Sequence, residues 1–360
     1  MRYVSTRAQA PVRDFAGVLL AGLAEDGGLY VPETWPTLSP AEWRGLRGLP
    51  YPALAARLLA PFVGDAVPAD ALEAICRDAY AGFDHPAVVP LVQLDTSLFV
   101  QELFHGPTLA FKDVPLQVLG RLFDRVLTER DARITIVGAT SGDTGSAAIA
   151  ACAGRARVDI VILHPRGRTS EVQRRQMTTV DAPNVANIAV EGTFDDCQDL
   201  VKAMFADADF RAELRLSAVN SINWARIAAQ VPYYAAAALA LGAPDRKVAF
   251  SVPTGNFGNV YAGHIARRAD QEFPGKRILE SHKWRVGAAS LRVEGCHHCR
   301  ANDQTRYYMF IHHNFSFPTD MFSYMRSQNA ILTSPAFSGT QAKPPESCAH
   351  SQHRLWHANT

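Results

Sequence analysis

The hydrophobic pattern changes character twice along the chain. From Met1 to about Pro90, apolar residues recur at helical spacing in "DFAGVLLAGLA", "SPAEWRGLRGL", "YPALAARLLAPFV" and "DALEAICRDAYAGF", with Pro-rich turns between them. Only "DGGLYVP" departs from this, reading as a turn into a short extended segment. These residues define a candidate helical N-terminal domain, 1–90. Beyond Pro90, β-rich runs alternate with helices. "RITIVGA" (133–139) ends in the turn "TSGDTG", "SAAIAACAG" reads as a helix, and "VDIVILHP" is a second buried strand. A polar helix-like stretch, "NVANIAVEG", helical "DDCQDLVKAMFAD" and finally "KVAFSVPTGNFGN" follow. The alternation predicts an α/β fold with a parallel, doubly wound sheet across 91–268. Ligands of such sheets sit at the carboxyl ends of the strands, where both glycine-rich turns fall.

From about Ala269 the alternation stops. Residues 269–360 hold eight of the twelve histidines and three of the six cysteines, a shift that marks a different module or a sequence foreign to the fold. Composition narrows the function classes. A formal net charge of +1 leaves no electrostatic footprint for nucleic acid or an anionic membrane. The apolar stretch "FAGVLLAGLA" is too short to span a bilayer, and "MRYVSTRAQA" lacks a signal-peptide core, so a cytoplasmic protein is expected. Six cysteines in 360 residues do not make a disulfide scaffold.

Four stretches carry candidate chemistry. In "HGPTLAFKDVPL", Lys112 sits among Leu109, Phe111, Val114 and Leu116. It is either a snorkelling side chain or a desolvated amine able to form a Schiff base with a carbonyl cofactor. "SVPTGNFGNVYAG" runs from a strand through Gly255, Asn256, Phe257, Gly258 and Asn259 into a helix, as a phosphate cradle or a tight turn. No dinucleotide-type GxGxxG occurs at either turn. "GATSGDTGSAA" offers the hydroxyls of Thr140, Ser141 and Thr144 and the amides of Gly142 and Gly145 to a carboxylate or phosphate; alternatively, Ser141 or Asp143 caps a helix. In "NSINWARIAAQ", Ser221 and Arg226, with Asn223 between them, are spaced to converge on a phosphate, or Arg226 lies on a solvated face. Cys296-His297-His298-Cys299 with His312 and His313 would suit half a zinc finger, but the closing histidine pair is absent and no metal is expected.

Taken in order, "DGGLYVPE", "HGPTLAFKD", "ATSGDTGSAA", "HPRGRTSEVQRRQMTT", "EGTFDDCQDLV", "NSINWARI" and "PTGNFGN" resemble the threonine synthase family of fold-type II pyridoxal-phosphate enzymes, over residues 1 to about 268. The resemblance implies a tryptophan synthase β-like α/β fold with parallel-sheet domains behind a helical N-terminal domain. It implies pyridoxal 5'-phosphate as cofactor, Lys112 as the Schiff-base lysine and proton shuttle, and the Gly255–Asn259 loop on the cofactor phosphate. Asp143 would lie near the cofactor's phenolic oxygen. Thr140, Ser141 and Thr144 would hold the substrate carboxylate, and Ser221, Asn223 and Arg226 the phosphate end of O-phospho-L-homoserine. The implied reaction is β,γ-replacement to threonine and phosphate, by a monomer or homodimer. The resemblance ends near residue 268. The family's later "TAHPAKF"-like segment, which gives a hydroxyl to the pyridine nitrogen, is not found. The expectation is therefore a frameshifted or mispredicted end and a chain of little activity as written. The other readings are an inactive or truncated relative and a hydroxyamino-acid dehydratase, against which Ser221 and Arg226 count.

Overall fold

Local signals in the sequence start and stop the first helices. In the computed structural model, α1 (Phe15–Ala21) begins where the Asp14 carboxylate accepts from the Gly17 N–H, and α2 (Pro40–Gly45) begins with a Ser39/Glu42 capping box. Helix α3 (Tyr51–Val63) turns Leu54, Ala55, Leu58, Leu59 and Phe62 inward, and α4 (Ala69–Tyr80) packs on it. The structure describes residues 1–220, 222–253 and 256–269, and the backbone of a strand at 308–312. All belong to one compact unit, Met1–Ser316. The extended segment at "DGGLYVP" is β2 (Tyr30–Pro32), and it pairs antiparallel with β1 (Tyr3–Ser5). Strand β1 has no signal in the pattern because three residues are too few to show a period.

The region after Pro90 contains two sheets. Strands β3 (Leu91–Gln93) and β4 (Leu98–Glu102) come first, then helix α5 (Asp113–Glu129). The expected alternation follows: β5 (Ile134–Ala139), α6 (Asp143–Cys152), β6 (Val158–Pro165), α7 (Glu171–Thr178), β7 (Val185–Val190) and α8 (Phe194–Ala206). Short α9 (Ala208–Glu213) leads to β8 (Leu216–Ser217), α10 (Trp224–Ala228), α11 (Val231–Ala240), β9 (Ala249–Ser251), α12 (Gly258–Arg268) and β10 (Tyr308–His312). One sheet, ordered β7-β6-β5-β8, is parallel throughout. The other, ordered β3-β4-β10-β9, is antiparallel at every pairing. This corrects the expectation for "KVAFSVP". Strand β9 does not extend the parallel sheet but pairs with β10, from a part of the chain whose pattern predicts no strand.

One core joins the N-terminal helices to the α/β region. Trp224, at the start of α10, is buried against the rings of Tyr3, Trp35 and Phe62. Tyr3 donates its hydroxyl to the Phe62 carbonyl, and Ser217 Oγ donates to the Leu20 carbonyl. The readings of residues 270–307 and 313–360, including Cys296–Cys299 and His313, lie outside the described residues, as does the His312 side chain. Among the described residues no His, Cys, Asp and Glu cluster could hold a metal ion, and no helix is long and apolar enough to cross a membrane.

Candidate active site

Lys112 stands immediately before α5, on a turn held from inside. The turn passes through Leu109 in the left-handed region (φ +60), with that side chain 57% exposed. Asp113, fully buried, takes two hydrogen bonds from Thr108, from its N–H at 2.8 Å and its hydroxyl at 2.7 Å. Burial pushes the Asp113 carboxyl up to about 6; the bonds from Thr108 and Ala110 oppose this, and nearby Asp143 adds to it. The Lys112 side chain is only 14% exposed, and its Nζ donates to Asp143 Oδ2 at the first residue of α6. Of the two readings of Lys112, the amine is therefore drawn into the protein and paired there.

The turn after β5 departs from its sequence reading in one respect. Thr140 Oγ1 accepts from both Gly142 N–H (3.0 Å) and Gly145 N–H (2.9 Å). Those two amides, expected to face a ligand, are thus spent inside the turn. The first turn of α6 instead leaves the Asp143 and Thr144 N–H groups without helical partners, beside the half-buried Ser141 and Thr144 hydroxyls. Gly142, at φ +152, packs under the Gln173 side chain of α7, where a Cβ would collide with Gln173 Oε1.

Arg226 is 5% exposed and belongs to no ion pair among the described residues. Its Nη1 donates to the Val219 carbonyl at 2.7 Å, while its Nε has no hydrogen-bond partner. Burial pulls this guanidinium down to about 10, against the opposing attraction of Asp143 and Tyr233. Asn223 is spent within the protein: its Oδ1 caps α10 through the Ala225 N–H, and its Nδ2 donates to the Leu19 and Ala218 carbonyls. What Asn223 offers is the position of Arg226, three residues on. Ser221 and Gly255 lie outside the described residues.

At the second loop, Phe257 adopts a left-handed conformation (φ +65), is 56% exposed and starts α12. The Gly258, Asn259 and Val260 N–H groups have no partner in the helix itself, so the helix presents free donors beside exposed Asn256. The Asn259 side chain is held by two tyrosines, with Tyr233 Oη 2.5 Å and Tyr234 Oη 2.8 Å from its Oδ1. Sequence reasoning missed both tyrosines, as well as Gln230, which receives the Tyr233 hydroxyl and donates to the Arg226 carbonyl. They lie in an alanine-rich helical run that carries no motif. Two linked groups result: Lys112 on Asp143, and the Arg226 backbone carbonyl joined through Gln230 and Tyr233 to Asn259. A sheltered amine and a helix N-terminus with unpaired donors fit a group that carries both an aldehyde and a phosphate.

A family model described as "Pyridoxal-phosphate dependent enzyme" matches residues 84–289, and one described as "Threonine synthase N terminus" matches residues 2–80. The chain belongs to the pyridoxal-phosphate dependent enzyme family. Its relatives narrow the class: it is 60% identical to the threonine synthase of Pseudomonas aeruginosa over 267 residues, which cover 74% of this chain and 57% of that protein. It is 48% identical to that of Corynebacterium glutamicum, with the same coverages. Among solved structures, PLP-bound threonine synthase from Brucella melitensis superposes with a TM-score of 0.72 at 58% identity, covering 75% of this chain and 58% of that one. The Escherichia coli threonine synthase superposes at 0.66 and 33% identity, covering 79% and 67%. The chain spans a little over half the length of the curated relatives it matches.

Proposed function

We propose that this chain carries the catalytic lysine and phosphate-reading half of a threonine synthase, which converts O-phospho-L-homoserine and water to L-threonine and phosphate. The observation that carries the reading is Arg226, a buried guanidinium whose Nη1 is held by the Val219 carbonyl and whose Nε–H is unused. A substrate phosphate would satisfy that group, whereas an unphosphorylated amino acid brings no second anion to it.

Bound pyridoxal phosphate supplies an electron sink conjugated to the substrate's α-carbon. Lys112 would anchor it and then hold and move protons at the substrate's α- and β-carbons, with Asp143 fixing the amine in place. The N-terminal N–H groups of α12 would take the cofactor phosphate, their register set by Tyr233 and Tyr234 on Asn259. The Ser141 and Thr144 hydroxyls, with the free amides of α6, would hold the substrate carboxylate. Arg226 would hold the phosphate that leaves the γ-carbon as water adds at the β-carbon, and the charge-assisted contact orients that end of the substrate. A cytoplasmic monomer or homodimer is part of this reading.

Incubation with pyridoxal phosphate followed by borohydride should fix the cofactor to the peptide containing Lys112. Fixation on Lys202 or Lys247 instead would overturn the assignment.

A further inference from the structure

Helix α7 carries the stretch "SEVQRRQMTT", which the proposed chemistry leaves without a role, yet it touches both loops of the site. Its Gln176 Nε2 donates to the Thr108 carbonyl at 3.0 Å, joining α7 to the turn that presents Lys112. Its Gln173, 5% exposed, lies over Gly142 in the turn that presents Asp143. Ser170 holds the Gln173 amide, with its Oγ 3.0 Å from Gln173 Oε1. The same helix thus braces the two ends of the Lys112–Asp143 pair.

Thr108 is the point where this bracing reaches the lysine. All three of its polar groups have partners: the N–H and hydroxyl go to Asp113, and the carbonyl accepts from Gln176. The next residue, Leu109, is mostly exposed and held at a positive φ that an L side chain adopts only with strain. A turn with that local preference relaxes toward negative φ unless its neighbours fix it. Asp113 fixes it from within α5, which moves with Lys112. Gln176 fixes it from a different element, and so sets Lys112 against Asp143.

We infer that Gln176 is a positioning residue for Lys112, acting through the Thr108 carbonyl to hold the amine against Asp143 in the orientation that receives the cofactor. The inference rests on the proposed role of Lys112. Because Gln176 is half-buried on a short surface helix, its loss should leave the fold intact.

The test uses the full chain and two variants. Gln176→Ala removes the donor; Gln176→Glu keeps the shape but presents a carboxylate to the Thr108 carbonyl. The rate at which added pyridoxal phosphate becomes borohydride-fixed at Lys112 is measured alongside the melting temperature of the apoprotein. Misplacement of about an ångström is worth roughly a hundredfold in rate, so both variants should be fixed at least tenfold more slowly, at an unchanged melting temperature. Fixation at the wild-type rate in both variants would overturn the inference. So would a loss of rate matched by a large drop in melting temperature, which would make Gln176 merely structural. If the wild-type chain is fixed elsewhere than Lys112, the functional reading fails first and this inference with it.

Discussion

Two buried charges, Asp113 and Arg226, test the site residue by residue. The Asp113 carboxyl is raised from 3.8 to about 6, chiefly by burial. A raised carboxyl favours the protonated form in the folded protein, so its contribution is fully present below the unfolded value and is lost as pH rises through about 6. The shift corresponds to a contribution on the order of 3 kcal/mol. Asp113→Asn should therefore flatten the fall in stability between about pH 4 and pH 6, as read by denaturant midpoints across that range. At pH 4, where Asp113 is protonated, the asparagine oxygen can take the Thr108 N–H and its amide nitrogen can face the Thr108 hydroxyl, so stability there should change little. An unchanged pH slope would mean that Asp113 titrates near its ordinary value. Arg226 makes a different prediction. If its Nε–H reads a phosphate, Arg226→Ala should weaken O-phospho-L-homoserine binding by about 2–4 kcal/mol while leaving homoserine binding nearly unchanged. Equal losses in a calorimetric comparison of the two ligands would assign Arg226 to packing.

Among the elements, the turn from β5 to α6 is the most tightly specified. A Cβ on Gly145 would lie 2.6 Å from Thr140 Cγ2 and 2.8 Å from Met177 Sδ, with the parallel sheet behind it. Gly145→Ala should cost about 1–3 kcal/mol by overpacking, seen as a lower denaturant midpoint with an unchanged slope. A neutral result would show that α7 yields at Met177. This turn is legible in the sequence because it joins a buried β-rich run, glycines and a small-residue helix within a few positions. The same holds for β6 and α8, whose patterns are local. The spending of the Gly142 and Gly145 amides was not legible, since it depends on which way the Thr140 hydroxyl points. Nor was the brace from α7, whose partner Thr108 is 68 residues away. Strand β9 was read as a strand but given the wrong neighbours: a buried strand shows its own period, not the direction of its partner. Helix α5 carries helical spacing at Val114, Val118, Leu122 and Val126, but Lys112 inside the same apolar run masks where it begins.

At the scale of the molecule, the sequence divides near Pro90 but the core does not. Tyr3, Phe15, Leu19 and Phe62 from the N-terminal segment share one apolar cluster with Trp224, Tyr233 and Ile265 from the region that carries the candidate site. Hydrogen bonds cross the same boundary, from Ser217 to Leu20 and from Asn223 to Leu19. Arg226 stands two residues beyond Trp224 on α10, so the packing that buries the indole also fixes the guanidinium. The N-terminal helices thereby support the site, although no residue singled out for chemistry lies in them. Trp224→Ala would remove a side chain that is 1% exposed, at a cost of about 3–5 kcal/mol. Because the cavity would open between the two segments, the loss should be felt on both sides. Amide hydrogen exchange should accelerate in α1 and α3 as well as in α10 and α11, and unfolding followed by far-ultraviolet dichroism and by the remaining tryptophans should stay coincident. Faster exchange confined to α10 and α11, or an early separate transition of residues 1–80, would show two independently stable parts. The position of Arg226 would then owe nothing to the N-terminal helices.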